Sequence, residues 1–134
     1  MSQTPSKAVL EHANITVADA RATAEKLCEL FDWTIRWDGE VLNGLGRSVH
    51  VGGEDYYLAL YAPAEPKGTT DGRYQMATIG SLNHIGVVVE DLDAMEERVK
   101  AHGYETKLHA DYEPGRRFYF DFEDNLEIEI VSYA

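Results

Sequence analysis

Cysteine occurs once in the 134 residues, at Cys28, so no intrachain disulfide is possible and packing must hold the core. A chain of this length buries roughly two-thirds of its unfolded surface, enough for a core without cross-links. No apolar run approaches the ~20 residues that span a bilayer. Met1 to Lys7 are polar and carry no signal-like apolar stretch. Basic residues are scarce: 12 Lys and Arg stand against 24 Asp and Glu, a formal net charge of −12. That deficit argues against nucleic acid and against an anionic membrane as partners, because both are held by Lys and Arg set against phosphates. The expectation is a cytoplasmic protein of one domain with a small molecule as its partner. Cys28 lies among Ala24, Leu27 and Phe31 and reads as a small buried hydrophobe rather than a nucleophile.

What is present is the same plan twice. His12-Ala-Asn-Ile-Thr-Val-Ala-Asp19 and His84-Ile-Gly-Val-Val-Val-Glu-Asp91 match in register: histidine first, β-branched residues between, aspartate last. Each reads as a strand ending in an Asp that caps the following helix. Ala24, Leu27, Cys28 and Phe31 have i, i+3, i+4, i+7 spacing, and Leu92, Met95 and Val99 mark a similar face. Gly103 reads as the stop for the second helix. Shorter strand-like runs follow each helix: Trp33–Trp37, Arg47–Val51 and Tyr56–Tyr61, then Tyr104–Leu108, Arg117–Phe122 and Leu126–Tyr133. Asp38-Gly39 and Gly52-Gly53 supply turn chemistry in the first set. Each half reads β-α-β-β-β. The expected division is module one at about 8–62, a Pro- and Gly-bearing linker at about 63–80 and module two at about 81–134. Within that linker, Arg73–Met76 has the weakest signal.

Two such modules, each opening on a strand histidine, resemble the vicinal oxygen chelate superfamily, which includes glyoxalase I, extradiol dioxygenases, fosfomycin-resistance proteins and bleomycin-binding proteins. The resemblance covers Val9 to Tyr133. It is carried by the two His…Asp strands and by the ending Phe120-Asp-Phe-Glu-Asp-Asn-Leu-Glu-Ile-Glu-Ile-Val131, with Asn125 where the family usually has Gly. Asn also tolerates a left-handed backbone. The resemblance implies an α+β fold of two βαβββ modules whose curved mixed sheets surround a cavity. It implies metal ligands from the opening and closing strand of each module: His12, His84 and Glu129. Ala59 stands where a fourth ligand is expected. Two histidines and one carboxylate leave open positions on Fe, Mn, Ni or Zn.

Strand alternation places further candidates on the cavity face. With Glu129 inward, Glu127 follows, while Ile128 and Ile130 face the helix. With Phe118, Phe120 and Phe122 on the helix side, Arg117, Tyr119 and Asp121 face inward. Asp121, Glu127 and Glu129 then share one interior, where like charges raise a carboxylate pKa unless a cation is present. Glu129, Glu127, Asp121 and Tyr119 are the catalytic candidates. Tyr112-Glu-Pro-Gly-Arg116-Arg117 reads as a turn, and as a loop at the cavity mouth in which Arg116 or Arg117 clamps a substrate carboxylate. Tyr57 and Tyr112 are substrate-binding candidates with these arginines. Trp33, Trp37 and Tyr61 belong either to the pocket or to the core. His50, His102 and His109 have no repeat partners and read as surface residues. Asp93, Glu96 and Glu97 read as a solvated helix face.

Two functions follow. One is a divalent-metal enzyme acting on a small oxygenated substrate by lyase, isomerase or dioxygenase chemistry. The other is metal-free sequestration of a cationic small molecule, which the charge of −12 would steer. Open sheet edges and the resemblance both imply a homodimer.

Overall fold

The structure, a computed structural model, describes residues 8–68, 77–112 and 115–134. It divides into two units, Met1–Pro66 and Lys67–Ala134. Residues 69–76 of the expected linker, with the reading of Arg73–Met76, lie outside the described residues. So do Glu113 and Pro114 of the expected mouth loop.

Unit one contains β1 (His12–Thr16), α1 (Ala20–Phe31), β2 (Thr34–Val41), β3 (Gly46–Gly52) and β4 (Tyr57–Pro63). Its sheet order is β1-β4-β3-β2, with β1 parallel to β4 and the other pairs antiparallel. Unit two repeats this with β5 (Ile85–Val88), α2 (Leu92–Ala101), β6 (Thr106–Tyr112), β7 (Gly115–Asp121) and β8 (Glu127–Ser132), in the order β5-β8-β7-β6. Each unit is therefore a βαβββ module with a mixed four-stranded sheet, the α+β fold expected. Among the described residues no helix is long and apolar enough to cross a membrane.

The helices start where the aspartates allow. Asp19 accepts from the Ala22 N–H at 3.0 Å and Asp91 from the Ala94 N–H at 3.0 Å. Such a cap contributes about 1 kcal/mol by satisfying an orphan donor of the first turn. On α1, Ala20, Thr23, Ala24, Leu27 and Leu30 are buried, and the opposed strands supply Val49, Val51, Leu58 and Leu60. In unit two, Leu92 and Val99 of α2 share the core with Phe118, Phe120, Ile128 and Ile130. A fully buried side chain of this size contributes about 2 to 3 kcal/mol in transfer terms. Cys28 is half-buried rather than fully enclosed, and burial pushes its thiol up, which disfavours the thiolate.

Two expectations for the turns fare differently. Asn125 does adopt the left-handed backbone, at φ 58°. Asp38-Gly39 is not a turn but the middle of β2, paired with Val49 and Ser48. The chain reverses instead at Leu42-Asn43-Gly44, where φ is 54°, 55° and 83°. Asp38 is kept in the strand by Arg21 of α1 and Arg47 of β3, which hold its two oxygens at 2.8 and 2.6 Å. Trp37 lies over Gly39, and a Cβ there would sit 2.6 Å from the indole.

Candidate functional site

In unit two the residues of β7 and β8 alternate between two faces. Phe118 and Phe120, Ile128 and Ile130 are fully buried on the α2 side. That face is identified by two contacts to α2: Arg116 donates to Asp93 at 2.8 Å, and Thr106 donates to Glu96. Arg117, Tyr119, Asp121, Glu127 and Glu129 lie on the other face. The register sets Tyr119 opposite Glu129 and Asp121 opposite Glu127, with Gly86 beside Glu129 on its far side.

Glu129 is the centre of this face, with only 13% of its side chain exposed. Its Oε2 accepts from Arg117 Nη1 at 2.8 Å and from the Tyr119 hydroxyl at 3.0 Å. Its Oε1 faces His84 Nε2 at 3.3 Å. The other ring nitrogen of His84, Nδ1, lies 2.7 Å from Asn83 Oδ1. With Nδ1–H donating to Asn83, Nε2 presents its lone pair to Glu129 Oε1. An acceptor then faces an acceptor, and a proton or a cation between them satisfies both. Two ligands at right angles on an ion with bonds of 2.0 to 2.2 Å would be about 3 Å apart, so this spacing suits a shared divalent ion. His84 and Glu129 thus fit the metal that the resemblance implies.

His12 is set up in the same way in unit one. Its Nδ1 lies 2.9 Å from Oε1 of the preceding Glu11, so with Nδ1–H donating there, Nε2 carries the ring's lone pair. The hydrogen bond from His12 holds the Glu11 carboxyl below its ordinary range. Glu11 and Asn83 occupy matching repeat positions and do the same job, a role the sequence reading missed. The visible signal was an acceptor immediately before each strand histidine. Among the described residues no three His, Cys, Asp or Glu side chains gather as one ion site.

The register shows where the two units differ. Asn14 pairs with Ala59 as Gly86 pairs with Glu129, so Ala59 takes the carboxylate's place. His50, next to Ala59 on β3, matches Tyr119 next to Glu129 on β7. His50 is not the surface residue expected. It is half-buried, stacked 4.6 Å from Tyr57 and tilted against Trp37 at 5.1 Å. Burial, with His12 and Arg36 nearby, pushes its pKa down and favours the neutral ring. Tyr57 also stacks on His12 at 4.8 Å and lies under the Arg36 guanidinium at 4.7 Å. Where unit two has charge, unit one has rings.

The acidic interior expected around Asp121 and Glu127 carries its own cation. Lys107 Nζ lies 3.0 Å from both Asp121 oxygens and 3.3 Å from Glu127. Burial works against its charge, but the bonds to Asp121 and Glu127 outweigh this and raise its pKa. The charges on Asp121 and Glu127 are therefore offset without a metal, a correction to the sequence reading. Burial and the bond to Glu129 push the Tyr119 phenol up, so it remains a donor at neutral pH.

The structure does not bring Arg116 to this face; it is exposed and paired with Asp93 on the α2 side. Arg117 is present but engaged. Its Nε and Nη2 donate to Gly115 O at 3.3 and 3.2 Å, and its guanidinium lies 4.5 Å over the Tyr112 ring. Of the acidic face expected on the second helix, Asp93 and Glu97 are exposed, but Glu96 is not solvated. It accepts from Thr106 and His109 and lies near Lys100. Trp33 packs between Phe31 and Tyr56.

Residues 9–130 match the family model of the Glyoxalase/Bleomycin resistance protein/Dioxygenase superfamily. No curated protein matches the chain. Among solved structures, a glyoxylase/bleomycin resistance protein/dioxygenase domain from Frankia sp. EAN1pec is 21% identical with a TM-score of 0.77, covering 95% of this chain and 98% of that one. The fosfomycin resistance protein FosX from Mesorhizobium loti is 24% identical, with a TM-score of 0.67 and coverage of 92% and 90%. The trypanothione-dependent glyoxalase I of Leishmania major is 17% identical, with a TM-score of 0.75 and coverage of 95% and 88%. At these identities the likeness is one of fold.

Proposed function

This chain belongs to the Glyoxalase/Bleomycin resistance protein/Dioxygenase superfamily, and on that premise we propose a divalent-metal-dependent enzyme acting on a small oxygenated substrate. The observation that carries the reading is the repeated anchoring of His12 and His84. Each is tied at Nδ1 by the preceding side chain, and His84 Nε2 is turned toward Glu129. The proposed ligands are His12, His84 and Glu129, which would hold Fe, Mn, Ni or Zn, and the chain would act as a homodimer. When bound, such an ion polarises a substrate oxygen and stabilises the negative charge that develops on it.

The chain's own groups would do the rest. Tyr119 and Arg117 hold Glu129 in place. Glu127, tethered by Lys107, is the proposed proton acceptor, because it is half-buried whereas Asp121 is largely exposed. Tyr57, with the rings around it, offers a surface for a planar part of the substrate. Glyoxalase-like lyase or isomerase chemistry and dioxygenase chemistry both suit a site with open positions.

The test is titration of metal-stripped protein with Mn(II), Fe(II), Ni(II) and Zn(II) by calorimetry. One ion per chain is expected. His12→Ala and Glu129→Gln are each expected to weaken it by more than about 100-fold, beyond the loss typical of an outer-shell partner. Absence of uptake, or affinities unchanged in both variants, would leave sequestration of a cationic small molecule as the surviving reading.

A further inference from the structure

The two oxygens of Glu129 are not equivalent. Oε2 accepts two hydrogen bonds from β7, one from Arg117 and one from Tyr119, while Oε1 meets only His84 Nε2 among the described contacts. On the Oε1 side stands Gly86, whose absent Cβ would lie 3.7 Å from that oxygen. A Cβ there would make only ordinary van der Waals contact with Oε1.

Arg117 is itself fixed on three sides. Gly115 O takes two of its N–H groups, Tyr112 lies against its flat face, and Glu129 takes Nη1. Only 11% of its side chain is exposed. A guanidinium with its donors so committed is poorly placed to leave and clamp a substrate anion. It is well placed to hold a carboxylate, because its fork has a fixed geometry.

Building on the metal reading above, we infer that Arg117 and Tyr119 are positioning residues that restrict Glu129 to one-oxygen ligation through Oε1. A carboxylate with both oxygens free can close on an ion in bidentate fashion and occupy two of its positions. Tying Oε2 back leaves one of those positions for a substrate oxygen. Arg117 acts here through Glu129 and not on the substrate.

Co(II) serves as the probe, because its d–d absorption weakens as coordination number rises. In Arg117→Met, where only the Tyr119 hydroxyl still holds Oε2, that oxygen swings to the ion and the absorption falls relative to wild type. In Tyr119→Phe, which keeps the ring and loses one donor, Co(II) binds about tenfold more weakly. Affinity is not the diagnostic for Arg117→Met, since removing a cation and releasing an oxygen act on it in opposite directions. Urea unfolding of both variants separates a packing role, which moves stability and leaves the Co(II) spectrum unchanged. A wild-type spectrum in Arg117→Met together with wild-type affinity in Tyr119→Phe overturns the inference while the metal reading stands. A wild-type protein that takes up no Co(II) overturns the metal reading, and the inference with it.

Discussion

Along β7, neighbouring residues serve opposite faces. Arg117 and Tyr119 reach Glu129, while Phe118 and Phe120 are fully buried. Phe118→Ala would remove a ring packed beside Ile130 in the next strand and leave a cavity that the rigid sheet cannot collapse. A loss of about 3 to 5 kcal/mol is expected, read as a lower urea midpoint with an unchanged slope. A loss under about 1 kcal/mol would mean the site repacks. The same residue scale explains Ala59. One methyl group stands where unit two has a carboxylate, and it leaves the neighbouring His50 without a charged partner at that position.

The joint between α2 and β6 is polar where an amphipathic helix would ordinarily be apolar. Glu96 accepts from Thr106 and His109 and lies 3.8 Å from Lys100. Burial alone would raise its pKa, but the bonds from Thr106 and His109, with Lys100 nearby, outweigh that and hold it below the ordinary 4.5. A depressed carboxylate stabilises the fold above its unfolded pKa, and that contribution is lost as pH falls through the folded value. Unfolding free energy is therefore expected to drop below about pH 4.5. In Glu96→Gln this acid-dependent part should shrink while other carboxylates keep theirs. Equal acid slopes in wild type and variant would show that the joint contributes nothing. Leu108, at φ 54° within the irregular stretch between Lys107 and Ala110, marks where β6 bends to bring His109 to Glu96.

For the whole molecule, each unit keeps two sheet edges, β1 and β2 in the first and β5 and β6 in the second. Unpaired edges expose backbone donors and acceptors that favour pairing with another chain. The proposed homodimer predicts a species of twice 15.0 kDa in sedimentation at micromolar concentration. A single 15.0 kDa species under those conditions would count against it. The net charge of −12 opposes self-association, so the dimer fraction should grow as salt screens the repulsion.

Much of this was already written along the chain. The doubled His…Asp strands, the capping aspartates, the period-two alternation of Phe118/Phe120 and Ile128/Ile130, and the alanine at the fourth ligand position are local patterns. Local patterns survive in sequence because helix and strand periodicities are local physics. The polar contacts between strands are different. Lys107 between Asp121 and Glu127, Arg117 on Glu129, His50 in its ring stack and Glu96 under His109 all depend on which residues face each other across strands. That register is shifted in both units, between Ile35 and Trp37 and between Lys107 and Ala110. A one-residue shift in strand register moves a side chain to the other face, so tertiary structure alone decided which cation met which carboxylate.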